Sequence, residues 1–311
     1  MNKTLRLIVA GTCVPLLLSL SGCTVELLDP KGQIGMQEKD LILIALGVML
    51  LVVIPVIILT LFFAWKYRES NTSATYAPTW AHSNRIEIVI WAIPCLIVLG
   101  LAGLIWVSTH QLDPYRPIAS KTPPLEVQVV ALNWKWLFIY PEYGIATVNQ
   151  LEIPVDRPVA FKLTAESIMN SFFIPQLGSQ VYAMAGMQTQ LHLIANHEGI
   201  YPGRSAAFSG PGFSDMHFDT ITVSPQAFSA WVAQAQSSPV VLDDKTYAAL
   251  AAPSIQTQPT VYGRVSPGLF LSVVNHYMPA RSMAGMDDKD NDLFMSEASM
   301  CGPSKSSEDK N

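Results

Sequence analysis

The sequence predicts a membrane-inserted hairpin of two α-helices, followed by an all-β sandwich and a helical arm. Three observations carry that prediction. Half of the 311 residues are hydrophobic and only 14% are charged, against about 25% charged in an ordinary soluble chain, so part of the chain is solvated by something other than water. Residues 41–65 and 88–107 contain no charged side chain; at ~1.5 Å rise per residue, about 20 helical residues cross a ~30 Å hydrocarbon core. Beyond residue 125 the apolar runs give way to short segments of mixed polarity broken by proline and glycine, the pattern of a sandwich. A net charge of −5 offers no footprint for nucleic acid.

The chain opens with Lys3 and Arg6 ahead of an apolar stretch, closed by Leu20-Ser21-Gly22-Cys23. This is the layout of a secretory leader, and the closing tetrapeptide resembles a bacterial lipobox. The resemblance implies that residues 1–22 are a lipoprotein signal peptide and that Cys23 becomes the acylated first residue, outside the membrane. Residues 23–40 then form an exported segment and 41–110 the two-span hairpin, with a cytoplasmic loop over 66–87. Pro55 and Pro94 fall inside the spans, where a neighbouring helix satisfies the freed carbonyl groups. Two crossings return everything after His110 to the outer side. Lys66, Arg68 and Arg85 in the loop agree weakly with positive charge being held inside.

Within 111–224, the segments 127–140, 148–155, 159–164, 172–174, 191–195 and 218–223 are expected as strands of an antiparallel sandwich, with no helix between them. The arm, 225–278, contains helices over 225–236 and 243–252, the second capped by Asp243, and a third opened by Pro267. On that third helix Leu269, Phe270, Val273, Val274 and Tyr277 share a face. Residues 279–311 are expected to be a disordered tail, whose methionines and Cys301 carry no clear role. Four cysteines in unlike surroundings make no disulfide framework. The six histidines, His82, His110, His192, His197, His217 and His276, fall in different elements and give no metal constellation.

The stretch Tyr201-Pro-Gly-Arg-Ser-Ala-Ala-Phe-Ser-Gly-Pro-Gly-Phe-Ser-Asp-Met216, with Ile168-Met-Asn-Ser-Phe-Phe-Ile-Pro175 before it, resembles subunit II of the haem-copper respiratory oxidases. The resemblance runs over nearly all of residues 23–278 and implies a cupredoxin-like Greek-key sandwich. In members that oxidise cytochrome c, this loop holds a dinuclear copper centre through two cysteines, two histidines and a methionine. Alignment on the flanking residues puts Asn170 at the first histidine, Ser205 and Ser209 at the cysteines and Phe213 at the second histidine. Only Met216 is kept. Ala207 stands where a glutamate would serve a magnesium site. A protonated hydroxyl is a hard oxygen and a phenyl ring has no lone pair, whereas an electron-transfer copper site needs thiolate and imidazole.

The chain therefore looks like the second subunit of a cytochrome bo-type quinol oxidase. Asp29-Pro30-Lys31-Gly32-Gln33-Ile34-Gly35 and Phe172-Phe173-Ile174-Pro175-Gln176-Leu177-Gly178-Ser179-Gln180 are similar to that group as well. The resemblance implies a non-redox subunit, in a bacterial inner membrane with its C-terminal domain in the periplasm, of a proton-pumping complex that oxidises ubiquinol and reduces oxygen to water. It implies no cofactor bound by this chain, haems and copper in a large catalytic subunit I, smaller membrane subunits and membrane lipid as partners, and no cytochrome c. Trp134 and Trp136 are expected in the aromatic core and at the contact with the catalytic subunit. Glu87, at the inner start of the second span, is expected near a proton-entry pathway; the alternative is a solvated carboxylate favoured at a helix N-terminus. A reading from another class is a stand-alone membrane lipoprotein using a cupredoxin-like domain for binding or assembly.

Overall fold

The computed structural model describes residues 26–75, 77, 79, 82–255 and 258–277. The expected signal peptide, Cys23 and the tail over 279–311 lie outside these residues. Two long helices lead: α1 (Gln33–Lys66) and α2 (Asn84–Gln111). Each has an uncharged apolar stretch none of which is buried by the rest of the chain, as expected if lipid and partner helices cover it. The 34 residues of α1 extend about 50 Å, more than a bilayer core needs, so its ends project into both aqueous phases.

The sandwich contains β1 (Leu125–Leu132), β2 (Lys135–Tyr140), β3 (Ile145–Val148), β4 (Gln150–Pro154), β5 (Val159–Ala165), β6 (Asn170–Phe173), β7 (Val181–Ala183), β8 (Thr189–Leu193), β9 (Gly199–Ser205) and β10 (His217–Val223). The arm follows as α3 (Pro225–Gln236), β11 (Val241–Leu242), α4 (Asp244–Ala251), β12 (Thr260–Tyr262), β13 (Arg264–Val265) and α5 (Leu269–Asn275). One sheet has the order β12-β3-β2-β1-β5-β8 and the facing sheet β4-β10-β9-β6-β7. Trp136, Phe138, Phe161, Phe172 and Phe218 fill the space between them.

Several expected boundaries change. The segment 127–140 is a hairpin, with Trp134 in the left-handed region at φ 65° where the chain reverses. The segment 148–155 is divided at Asn149, also left-handed at φ 57°. There the chain leaves one sheet as β3 and joins the other as β4. That crossing lets β5 return alongside β1 in parallel, and β4 pair with β10 in parallel, so the sandwich is mixed rather than wholly antiparallel. Strand β9 contains Gly199 and Pro202, expected as breakers. Gly203 is required because a Cβ there would lie 2.1 Å from the Phe218 ring. A short 3-10 turn, Phe213–Asp215, interrupts the otherwise strand-only region.

The arm is a third layer. Its Leu242, Leu250, Tyr262, Leu269, Phe270, Val273 and Val274 pack on Val130, Leu132, Leu137 and Ile139 from the outer face of the first sheet. Strand β2 is consequently buried on both faces. Ser224 and Asp243 cap α3 and α4 by accepting from the backbone N–H of Ala227 and Thr246. Helix α5 begins after Gly268, whose φ of 79° supplies the entry turn, two residues beyond the expected Pro267. Tyr277 does not join its buried face and is half exposed.

The two motifs at 29–35 and 172–180 meet. Lys31 N–H donates to Gln176 O (2.7 Å), Gly35 N–H to Leu177 O (3.0 Å) and Asn196 N–H to Lys31 O (2.8 Å), while Gly32 bridges Ala195. Ser179 donates to Glu38 and Glu26 pairs with Arg204. A Cβ at Gly32 would stand 2.4 Å from Ile194 O, which explains glycine at that position. The first turns of α1 are thereby built into the sandwich.

Candidate functional site

The loop from Ser205 to Met216 connects β9 to β10 and lies beside Asn170 at the start of β6. Pairing of β6 with β9 sets Phe172 opposite Ser205, and the Ser205 N–H donates to Met216 O (3.1 Å). The strands thus bring four of the five aligned positions together. Ser205 Oγ lies 3.1 Å from Asn170 Oδ1 and 3.2 Å from Ala207 O, either of which accepts its proton. Asn170 Nδ2 donates to Ile168 O (2.9 Å). Ser209 Oγ lies 3.8 Å from Met216 Sδ, and both residues are buried. Phe213 instead packs edge-on against Phe208, ring centroids 5.6 Å apart.

These residues do not fit a dinuclear copper centre. The Ser205 hydroxyl and the Asn170 amide are engaged with one another and with backbone oxygens, the Ser209 hydroxyl faces the one thioether that remains, and an aryl ring replaces an imidazole. A soft metal finds neither thiolate nor imidazole here. Ala207 contributes only its carbonyl oxygen, to Ser205. Among the described residues, no three His, Cys, Asp or Glu side chains gather at all. What the loop keeps is its shape.

Trp134 holds that shape from below. Its indole N–H donates to Ser209 O (3.0 Å), and its ring lies where a Cβ at Gly212 would come within 2.4 Å. Above it Phe208 is 78% exposed, with Ile168 and Met169 about half exposed nearby in sequence to Asn170. Trp136 has a different place. With no exposed surface, and packed on Phe172 and Phe218 at 5.3 and 5.7 Å, it belongs to the core and cannot touch another subunit. The expected interface role is corrected for Trp136. Glu87 is exposed in the first turn of α2, behind the cap Ser83, with no side-chain partner among the described residues.

Two buried ionisable groups were not visible as such in the sequence. Lys135 is 1% exposed, and its ammonium donates to Leu250 O (2.6 Å), Ala252 O (2.9 Å) and Ser254 Oγ (2.7 Å). Burial pulls its pKa below the ordinary lysine value. Glu152 on β4 is 8% exposed beside a cavity of about 540 Å³ lined by Gln150, Trp231, Gln234 and Ser238. Burial pushes its carboxyl up to about 7, against a partial opposing effect of the Gln150 amide, which donates at 2.9 Å.

The Glu152 shift has a stability consequence. Between 4.5, the value of the unfolded chain, and about 7 the folded state holds the extra proton, so stability falls as pH rises through that window. Glu152→Gln removes this slope and raises stability at pH 7.5 by about 2 kcal/mol. Thermal unfolding of the detergent-purified protein at pH 5 and 7.5 measures it; an unchanged slope in the variant refutes it.

The comparisons with known proteins agree with this picture. Residues 142–223 match the family "Cytochrome C oxidase subunit II, periplasmic domain" and residues 236–280 match the "COX Aromatic Rich Motif". The chain is 56% identical over 260 residues to cytochrome bo(3) ubiquinol oxidase subunit 2 of Pseudomonas aeruginosa, covering 84% of this chain and 78% of that one. It is 56% identical over 262 residues to ubiquinol oxidase subunit 2 of Acetobacter aceti, covering 84% and 85%. Quinol oxidase subunit 2 of Bacillus subtilis is 40% identical over 238 residues, covering 75% and 74%. Among solved structures, the periplasmic domain of cytochrome oxidase subunit II from Bradyrhizobium japonicum aligns with a TM-score of 0.36 at 19% identity, over 38% of this chain and 96% of that one; a likeness at that level carries no argument. With identity of this extent along most of the chain, a sandwich topped by a copper-type loop that keeps one copper ligand of five, and two long apolar helices ahead of it, the protein belongs to the subunit 2 family of the quinol oxidases.

Proposed function

We propose that this chain is the non-redox second subunit of a membrane ubiquinol oxidase, which passes electrons from a lipid-soluble quinol to oxygen and moves protons as it does so. The observation that carries this reading is the loop Ser205–Met216, which keeps its fold and its tryptophan support while presenting hydroxyl, amide and phenyl groups where copper ligands would stand. Electrons entering from a soluble haem protein need a metal relay at that point; electrons from a quinol within the bilayer do not. Haems and copper then reside in the large catalytic subunit, with this chain and smaller membrane subunits around it.

In that role the chain supplies position. Helices α1 and α2 pack beside the catalytic subunit in the bacterial inner membrane, with Cys23 as a lipid anchor and the sandwich in the periplasm. The docked segment 29–35 fixes the sandwich above the spans, and Trp134 supports a loop whose exposed Phe208 offers an apolar contact. Glu87, at the inner mouth of α2, helps load protons into the catalytic subunit. Glu87→Gln is expected to lower turnover about threefold, most at alkaline pH, with assembly intact; a pH–rate profile identical to wild type rejects that role.

The decisive experiment isolates the complex through this chain in mild detergent and measures oxygen uptake with a short-chain ubiquinol and with reduced cytochrome c. Uptake with the quinol and none with the haem protein is expected. Turnover of cytochrome c, or copper in proportion to the exported domain, overturns the reading. Recovery of the chain without any haem protein favours a free-standing lipoprotein.

A further inference from the structure

At the sandwich-side ends of the two spans, the chain forms two joined spaces. The upper is a cup of mixed polarity and about 480 Å³ beneath the sandwich, bordered by Gln37, Gln111, Asp113, Arg116 and His192 and by Ile118 and Leu191. The lower is a cleft of about 220 Å³ between α1 and α2, walled by Leu41, Ile44, Leu104 and Val107, with Asp40 at its edge. Gln37, Gln111 and Leu112 line both, so the charged groups of the cup border the apolar walls of the cleft. That is the shape of a molecule lying across the boundary between hydrocarbon and water.

The charges narrow the occupant. Arg116 spends one long bond, 3.3 Å, on His110 O and makes no ion pair among the described residues. Asp40, one turn below the cup, is exposed and likewise makes no ion pair there. Among the described residues the Asp113 carboxylate accepts only from the Tyr115 N–H, at 2.9 Å. A guanidinium binds phosphate in a forked geometry, while Asp113 in the same cup and Asp40 in the neighbouring cleft favour a cation. An anionic lipid would satisfy Arg116 and face Asp40 and Asp113 with its own charge. A neutral head would leave all three unpaired.

We propose that this site binds one zwitterionic aminophospholipid, with its phosphate at Arg116, its ammonium toward Asp40 and Asp113, and an acyl chain in the cleft beside Leu104. The proposal rests on α1 and α2 being membrane spans.

The test uses the full chain in its oxidase complex, purified in mild detergent and exchanged extensively. Retained phosphatidylethanolamine and phosphatidylglycerol are counted per chain by mass spectrometry. The double variant Arg116→Ser, Asp40→Asn is expected to lower retained phosphatidylethanolamine about tenfold. Leu104→Trp, which fills the cleft and leaves every charge in place, is expected to give a similar loss. Wild-type levels in both variants overturn the proposal, as does preferential retention of phosphatidylglycerol, or a Leu104→Cys cross-link to a partner protein in place of lipid. Alkaline carbonate washing separates the two failures: release of the wild-type chain defeats the membrane reading, whereas a chain that stays in the membrane and retains no phosphatidylethanolamine defeats only the lipid site.

Discussion

Replacing Lys135 with alanine lowers stability by about 3–5 kcal/mol and releases the arm before the sandwich unfolds. The ammonium reaches the carbonyls of Leu250 and Ala252 at the end of α4 and the Ser254 hydroxyl, acceptors that an α-helix terminus leaves unpaired. Removing it strands two oxygens in an apolar layer and opens a void the size of its stem. Lys135→Met separates these effects, because methionine restores the volume without the donors. The expected order of stability is wild type, then methionine, then alanine. Limited trypsin digestion reads the arm directly: cleavage at Lys245 should accelerate in both variants ahead of any cut in the sandwich. If methionine matches lysine, the hydrogen bonds contribute nothing and only packing holds the arm.

Phe172→Ala costs a similar amount, about 3–5 kcal/mol, and loosens the candidate site with it. The Phe172 ring stacks on Phe218 at 5.2 Å and meets Trp136 and Phe161, each at 5.3 Å, so its loss leaves a cavity that four neighbouring aromatics cannot collapse to fill. Its backbone pairs with Ser205, which extends the damage to the loop. Phe208→Ala, at an exposed ring in the same loop, is the control and should shift stability by no more than about 0.5 kcal/mol. Denaturant titration in detergent measures both. Equal midpoints for the two variants would show that the aromatic cluster is not what organises the sandwich.

The membrane hairpin was legible because an uncharged run of about 20 residues is long enough to cross a hydrocarbon core, and the site because a familiar loop had lost the residue types a copper centre requires. The strands were harder. Pro202 looked like a break, yet the strand continues through it, and the Gly203 that follows admits the Phe218 ring. Asn149 gave no sign that the chain changes sheets there, since a single left-handed residue is a backbone event that asparagine only permits. Lys135 and Glu152 stood in strand patterns where a charged side chain ordinarily faces water. Both are covered by residues of the arm, far later in the chain, and no local window contains that information. Trp136 was expected both in the core and at a subunit contact; alternation places it opposite Lys135 without showing that its side lies wholly between the two sheets.

The union of α1 with the sandwich makes this chain a lever. Backbone hydrogen bonds from Lys31 and Gly35 to Gln176 and Leu177, in the turn after β6, tie the outer end of a rod of about 50 Å to the body it carries. When a thinner or thicker bilayer changes the angle at which the rod stands, the outer body swings with it. Lipid thickness thus acquires a mechanical route to the surface of whatever lies beneath.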